Sequence, residues 1–244
     1  EPQAAQCHSL RRLFSGGEAL PAELRNRVLA QWPQVQLHNR YGPTETAINV
    51  THWHCGPEDG ERSPIGRPLG NVLCRVLDSE LNPLPAGVPG ELCIGGIGLA
   101  RGYLQRPGLT AERFIADPLG EPGARLYRTG DQVRWGADGV LEYLGRLDQQ
   151  VKLRGFRVEP QEIEACLLTL PGVAQAAVLI RETAAGPQLI GYYTAHGADA
   201  FDNQYVRAAL AQALPEYMVP AQLLRLDAMP LSPSGKLDRR ALPE

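Results

Sequence analysis

The sequence has few cysteines, and their arrangement argues against a disulfide framework. Five cysteines are spread over 244 residues, an odd number without any C-x-x-C pair. Disulfide-stabilised secreted domains carry even numbers of cysteines, and structural zinc sites commonly use C-x-x-C pairs. The pattern therefore predicts free thiols in a reducing, cytoplasmic environment.

The sequence also lacks a membrane-spanning run and an excess of either charge. No apolar stretch approaches the ~18 residues of a transmembrane helix, and no signal-peptide pattern opens the chain. The formal net charge is −3, with acidic and basic residues interspersed. We therefore expect neither a membrane nor a nucleic acid as partner. Because the chain starts at Glu1 without a methionine, we expect it to be a piece of a longer protein.

Glycine and proline are abundant, with 26 and 21 residues spread through the chain. Such spacing is typical of turns, and it predicts an α/β protein rich in loops. Helices are predicted near residues 21–32, 160–170 and 202–214. Strands are predicted at residues 10–14, 35–37, 72–77, 133–135, 140–144, 173–180, 189–193 and 223–226.

One polar stretch, residues 145–159, divides the chain. Its sequence GRLDQQVKLRGFRVE is mostly charged, as expected of a connection outside the core. We place a hinge at Asp148 and predict domains at 1–147 and 148–244. A turn at Gly155 would join two short strands that present Lys152, Arg154 and Arg157. Taken alone, this segment could equally be a charged surface hairpin.

Chemically versatile side chains are concentrated after the strand at 35–37. The sequence NRYGPTET brings an aromatic ring, a Gly-Pro turn, hydroxyls and a carboxylate close together. These groups could stack on a base, bond a phosphate and hold a hard cation. The alternative is an ordinary turn followed by a helix cap. A nearby His-Trp-His-Cys run, residues 52–55, has too few accompanying ligands to predict a tetrahedral metal site.

The segment from Asn39 to Glu45 resembles the N-x-YGPTE signature of adenylation domains in nonribosomal peptide synthetases. The superfamily also contains acyl-CoA synthetases and luciferases. Three further segments resemble motifs of the same family in the same order: GELCIGGIGLARGYL, YRTGD and PSGKLDR. The fold implied is the trailing part of a large N-terminal domain with a β-rich subdomain, followed by a complete small α/β domain.

The resemblance implies a role for each matching residue. Tyr41 would stack on adenine, and Asn39 would face the adenine amino edge. Thr44 would contact the α-phosphate, and Glu45 would hold Mg²⁺. The closing Lys236 would be the adenylation catalyst.

Further candidates complete the expected site. The nucleotide would also contact Gly17, in the small-residue loop before the first helix, Asp131 through the ribose hydroxyls, and Tyr143 and Arg146. The substrate side chain would meet a pocket formed by Leu13, Ser15, Arg40, Ile48 and Asn49. Asp148, Lys152 and Gly155 would act in hinge motion and thiolation.

The implied reaction uses ATP and Mg²⁺ to activate an amino acid, which then passes to the phosphopantetheine thiol of a carrier domain. A condensation domain of the same synthetase would be a further partner. Because no S-G-T-T-G-x-P-K-G phosphate loop and no aspartate for the substrate amino group occur here, we expect this chain alone to be inactive. An acyl- or aryl-CoA ligase and a noncatalytic nucleotide- or carrier-binding module remain alternatives.

Overall fold

The computed structural model describes residues 7–153, 155–183, 186–196, 202–233 and 235–243. The chain divides into two compact units, Glu1–Asp148 and Gln149–Glu244. Both contain strands and helices, so the predicted α/β class is confirmed. All five cysteines carry free thiols, also as predicted. Within the described residues, no helix combines the length and hydropathy needed to cross a bilayer.

The first unit is built on one large sheet. Its helices are α1 (Ala22–Gln31) and α2 (Pro107–Arg113). Its strands are β1 (Arg12–Gly16), β2 (Gln36–Tyr41), β3 (Thr51–His54), β4 (Pro64–Pro68), β5 (Val72–Leu77), β6 (Gly90–Gly96), β7 (Phe114–Ala116), β8 (Arg125–Trp135) and β9 (Leu141–Arg146). The strand order is β1-β2-β3-β4-β9-β8-β6-β5, and β7 pairs with β8. Strands β1 and β2 are parallel, and the other pairs are antiparallel.

Helix α1 covers one face of β1–β3. Leu20, Leu37 and Cys55 form the buried centre of this contact. The sequence predicts Leu24 on the buried face, but Leu24 is 45% exposed and Arg25 is buried instead. The Arg25 guanidinium can be buried because it donates to the carbonyls of Gly60 and Arg62.

A second core supports the strands that end at the candidate site. Its buried members come from β2, β4, β5, β6, β8 and β9 and the adjoining loops: Tyr41, Val50, Ile65, Cys74, Val76, Leu92, Ile94, Val133 and Leu141. Burial on this scale fixes the backbone at the ends of β2 and β8. The polar residues there are therefore held on a rigid support.

The second unit is a small α/β domain. Its elements are β10 (Val151–Leu153), β11 (Phe156–Val158), α3 (Pro160–Leu168), β12 (Val173–Thr183), β13 (Gly186–Ala195), α4 (Asn203–Ala213) and β14 (Gln222–Arg225). Strands β12, β13 and β14 form one sheet, and β10 and β11 form a separate hairpin. One core packs α3 and α4 on the sheet, and another contains Tyr192, Met229 and Leu242. The last strand is parallel to β13, which requires the α4 crossover.

Candidate active site

Three polar residues from different strands meet at the centre of the candidate site. The Tyr41 hydroxyl donates to Asp131 Oδ2 at 2.5 Å, and Arg146 Nη1 lies 2.8 Å from Asp131 Oδ1. Tyr41 is 7% exposed and Asp131 is 3% exposed. Burial and the nearby charge of Asp131 raise the pKa of Tyr41, so its hydroxyl remains a donor. The resulting network fixes the Asp131 carboxylate in one orientation.

Arg146 connects Asp131 to Asp148. Its Nε and Nη2 atoms donate to the two carboxylate oxygens of Asp148 at 2.9 Å and 2.6 Å. Arg113 Nη2 lies 3.7 Å from the same carboxylate. Burial lowers the pKa of Arg146, but the hydrogen bonds and charges of Asp148 and Asp131 outweigh it and raise the pKa. The guanidinium is therefore a permanent cation between two carboxylates.

The turn that carries Asp131 is held by the preceding glycine-rich motif. The Glu91 carboxylate accepts a hydrogen bond from the Gly130 amide at 3.0 Å. It also forms an ion pair with Arg128, whose Nη2 atom lies 2.6 Å from Glu91 Oε2. The Thr129 hydroxyl accepts from the Asp131 amide at 2.9 Å. The motif GELCIGG thus supports the site structurally, through a residue that no local sequence signal marked as functional.

Tyr143 is partly buried on β9, close to the same network. Burial and the charge of Asp131 raise the pKa of Tyr143 to about 12. The phenol is therefore neutral at physiological pH and can contact an aromatic or hydroxylated ligand.

The loop after β2 has an unusual backbone. A Cβ atom at Gly42 would lie 2.3 Å from the Ile48 carbonyl oxygen, so only glycine fits. Ala47 and Ile48 have φ angles of 63° and 71°. A β-branched residue in this region is strained, and such strain is concentrated at functional sites. The loop leaves Thr44 exposed next to the buried Thr46.

Glu45 lies in the short helical turn Thr44–Thr46 and is partly buried. Its Oε1 accepts a hydrogen bond from the Tyr103 hydroxyl at 2.7 Å. No cluster of three or more His, Cys, Asp or Glu side chains suitable for a metal occurs among the described residues. Mg²⁺ is usually held by one or two carboxylates together with phosphates and water, so a single Glu45 carboxylate fits this ion.

Asn39 and Gly17 are placed differently from one another. Asn39 is buried, and its side-chain NH₂ donates to the Pro64 carbonyl at 2.7 Å. This contact joins β2 to β4 and orients the amide. Gly17 is exposed at the end of β1 with φ 89°, and a Cβ atom there would have open space around it. Both remain proposed nucleotide contacts.

The five pocket candidates do not share one face of the sheet. Leu13 is paired with Leu37 and packs beneath α1, whereas Phe14 is paired with His38 and Gly16 with Arg40. The Arg40 guanidinium lies 4.4 Å from the Phe14 ring centroid. Paired residues project to the same side and neighbours along a strand to opposite sides. The side chains of Leu13 and Ser15 therefore project from the face of β1 opposite to that of Phe14, and the pocket positions remain proposals.

Three histidine rings lie beside Phe14 on the Arg40 face. His38 Nδ1 and His52 Nε2 are 2.9 Å apart, and the ring centroids of His38 and His54 are 5.1 Å apart. Burial and the neighbouring His and Arg charges lower the pKa of His38. The lowered pKa favours the neutral form of the His38 ring.

The second unit carries the remaining candidates. Lys236 is exposed in a loop closed by the Ser232 amide, which donates to the Lys236 carbonyl at 2.7 Å. Lys152 is exposed on β10 and is paired with Arg157. Gly155 has φ 81° in the hairpin turn, and a Cβ atom there would have open space. Arg154 lies outside the described residues.

Comparisons with known proteins agree with this arrangement. Residues 1–104 match the AMP-binding enzyme family, and residues 162–236 match the AMP-binding enzyme C-terminal domain. The phosphinothricin tripeptide synthetase PhsB of Streptomyces viridochromogenes is 55% identical over 97% of this chain, which spans 20% of PhsB. A dimodular nonribosomal peptide synthase of Bacillus subtilis is 50% identical over 95% of this chain, which spans 10% of it.

Solved structures give the same result. PA1221, a nonribosomal peptide synthetase protein containing adenylation and carrier domains, superimposes with a TM-score of 0.81 at 33% identity, over 96% of this chain and 40% of PA1221. IdnL1 superimposes with a TM-score of 0.82 at 28% identity, over 93% of this chain and 46% of IdnL1. The chain therefore belongs to the AMP-binding enzymes, and it is the C-terminal portion of a nonribosomal peptide synthetase adenylation domain.

Proposed function

We propose that the protein containing this chain activates an amino acid with ATP and transfers it to the phosphopantetheine thiol of a carrier domain. The observation that carries the proposal is the buried Tyr41–Asp131–Arg146 network, which joins the N-x-YGPTE and YRTGD motifs in one site. The network presents a fixed carboxylate beside two aromatic residues, a suitable arrangement for a ribose and a base.

The nucleotide would lie along this network. The Asp131 carboxylate accepts hydrogen bonds from the ribose hydroxyls, and the hydrogen bond from Arg146 orients this carboxylate. Tyr41 and Tyr143 contact the base, with Asn39 at its edge and Gly17 next to it. Thr44, exposed after the Gly42 turn, donates to the α-phosphate. ATP is the cofactor class that the AMP-binding family implies.

In the first step, a carboxylate oxygen of the amino acid attacks the α-phosphorus. The bond from this phosphorus to the bridging oxygen breaks, and pyrophosphate leaves. Two anions meet, so positive charge must be supplied near the α-phosphate. Mg²⁺ held by Glu45 would supply charge neutralisation. Lys236, an exposed ammonium on a closed loop, supplies the second cation.

In the second step, the carrier's thiolate attacks the acyl carbon, and the carbon–oxygen bond to AMP breaks. We propose that rotation about Asp148 replaces Lys236 by the β10–β11 hairpin between the two steps. Gly155, which has a positive φ and no atom within 4 Å of where a Cβ would lie, would let the pantetheine arm pass. Lys152, on strand β10 of the same hairpin, would move to the site together with Gly155. PA1221 contains an adenylation domain and a carrier domain in one protein, which supports a carrier domain as partner. A condensation domain is the further partner that we propose.

The side-chain pocket would be formed by Arg40, Ile48 and Asn49, together with Phe14 on the Arg40 face. A guanidinium and an amide favour a polar or acidic amino acid, because burying these groups against an apolar side chain would leave them unpaired.

Pyrophosphate exchange with the intact synthetase tests the proposal. Amino acids, fatty acids and aryl acids are offered separately in the presence of ATP and Mg²⁺. Exchange that depends on an amino acid supports it. Exchange only with fatty or aryl acids identifies a CoA-ligase-type activity instead, and exchange with none identifies a noncatalytic module.

A further inference from the structure

We propose that Tyr103 is a positioning residue that holds the Glu45 carboxylate in its metal-binding orientation. The inference rests on the proposed function, in which Glu45 meets Mg²⁺. Tyr103 belongs to the segment GLARGYL, which supplies no residue to the reaction proposed above. The contact joins two segments separated by 58 residues.

The contact is short and is supported by the backbone. The Tyr103 hydroxyl donates to Glu45 Oε1 at 2.7 Å, and the Ala100 amide donates to the Glu45 carbonyl at 2.8 Å. The glycine-rich segment therefore holds both the main chain and the side chain of Glu45. Hydrogen bonds to charged acceptors are stronger than those between neutral groups.

Tyr103 is itself held in place. Its amide donates to Thr110 Oγ1 at 3.0 Å, and its ring packs edge-on against Phe114 with centroids 5.5 Å apart. At Gly102 a Cβ atom would lie 2.4 Å from Thr110 Cγ2, so the glycine before the tyrosine permits this packing. Helix α2 thereby sets the position of the phenol.

The hydroxyl is also prepared to donate. The Tyr127 hydroxyl lies 3.4 Å from it, and since Tyr103 donates to Glu45, Tyr127 is the donor in that contact. Burial, together with the hydrogen bonds to Tyr127 and Glu45, raises the pKa of Tyr103.

A glutamate has three rotatable side-chain bonds, and Glu45 is only partly buried. Loss of the Tyr103 hydrogen bond would remove one restraint on the rotamer of its carboxylate. Residues that orient a metal ligand typically contribute ten- to a hundredfold in affinity. We therefore expect Tyr103→Phe to weaken metal binding while keeping the ring packing.

The test uses Mn²⁺ as a probe of the metal site in the intact synthetase, with an α,β-methylene analogue of ATP present. Mn²⁺ affinity is measured by electron paramagnetic resonance for the parent, Tyr103→Phe, Glu45→Gln and the double variant. Tyr192→Phe is the control, because it also removes one buried tyrosine hydroxyl, which donates to the Pro243 carbonyl in the second unit, and keeps the ring. The melting temperature is recorded for every variant.

We expect Tyr103→Phe to weaken Mn²⁺ binding roughly tenfold. Tyr192→Phe should have little effect, and Tyr103→Phe should add nothing in the Glu45→Gln background. Equal losses in both backgrounds, with a lower melting temperature, would mean that Tyr103 is only structural, and unchanged Mn²⁺ affinity in Tyr103→Phe would likewise overturn the inference. If Glu45→Gln itself leaves Mn²⁺ binding unchanged, the metal assignment of the proposed function fails and the inference fails with it.

Discussion

Arg146 and Asp148 are joined by two hydrogen bonds, Nε to Oδ1 at 2.9 Å and Nη2 to Oδ2 at 2.6 Å. The pair lies directly over Gly130, where a Cβ atom would be 2.6 Å from Asp148 Oδ2. The Leu147 amide also donates to the Gly130 carbonyl at 2.8 Å. The strand that carries Asp131 and the residue proposed as the hinge are thus packed against each other.

Gly130→Ala should disturb this packing more than backbone strain alone would. Gly139 is the matched control, because its φ of 72° is nearly that of Gly130 at 71°, yet a Cβ atom at Gly139 meets nothing within 4 Å. Each substitution costs about 1–2 kcal/mol for the left-handed backbone. We expect Gly130→Ala to cost about 0.5–1.5 kcal/mol more, because the ends of the Asp148 and Arg146 side chains must shift and weaken their hydrogen bonds. Equal losses in denaturant unfolding of the two variants would contradict the packing account.

Asp148→Pro should uncouple the two half-reactions. Proline fixes φ and also restricts the residue before it, so the chain at 147–148 would be held in one state. Asp148→Ala is the control, because it removes the carboxylate paired with Arg146 but leaves the backbone free. We expect the proline variant to retain one half-reaction and to lose most of the other, measured by pyrophosphate exchange and by thioester formation. If it performs both as well as the alanine variant does, no hinge lies at Asp148.

Substitutions on the two faces of β1 should have different effects. Phe14→Ala and Arg40→Ala change the face on which their side chains meet, and we expect them to alter the relative exchange rates among amino acids. Leu13→Ala removes packing beneath α1 at a partly buried position, so it should lower stability by about 0.5–3 kcal/mol with the amino-acid preference kept. A change of preference in Leu13→Ala alone would reverse this assignment.

The sequence predicts the strand that contains Leu13, but it does not predict which face of that strand each side chain occupies. Strand alternation has a period of two, so a shift of one residue moves every side chain to the other face. The strand near Leu13 was predicted at 10–14, but β1 is Arg12–Gly16, and no local signal fixes which face meets Arg40. In contrast, Gly42 and Gly155 were predictable as turns, because few other residues adopt their conformations or fit their spaces.

Side-chain contacts between residues far apart in the chain could not be predicted from local sequence patterns. Tyr41 and Asp131 are 90 residues apart, and only the family motifs connected them before the structure did. Tyr103 and Glu45 also lie in family motifs, but the resemblance gave Tyr103 no role, and no local feature of the sequence indicates that the two residues are in contact. Local spacing predicts elements, whereas side-chain partners across a sheet depend on register and topology.

The second unit should fold without the first. Residues 149–244 contain two cores, one on each side of the β12–β13–β14 sheet. We expect this piece to unfold cooperatively in urea, monitored by circular dichroism. Leu167→Ala, at a fully buried position, should lower the free energy of unfolding by about 2–5 kcal/mol. A broad transition that is insensitive to this substitution would show that the piece has no specific core.

The most direct test of the central claim compares the two half-reactions in Lys236→Ala of the intact synthetase. Arg240→Ala, an exposed cation close by in the chain, is the control. Negative charge must be stabilised at the α-phosphate only in the first step, so we predict that pyrophosphate exchange falls roughly 100-fold or more in Lys236→Ala. Transfer from preformed aminoacyl-AMP to the carrier should change little, and Arg240→Ala should resemble the parent in both. Equal loss of both half-reactions in Lys236→Ala, or undiminished exchange, would contradict the account.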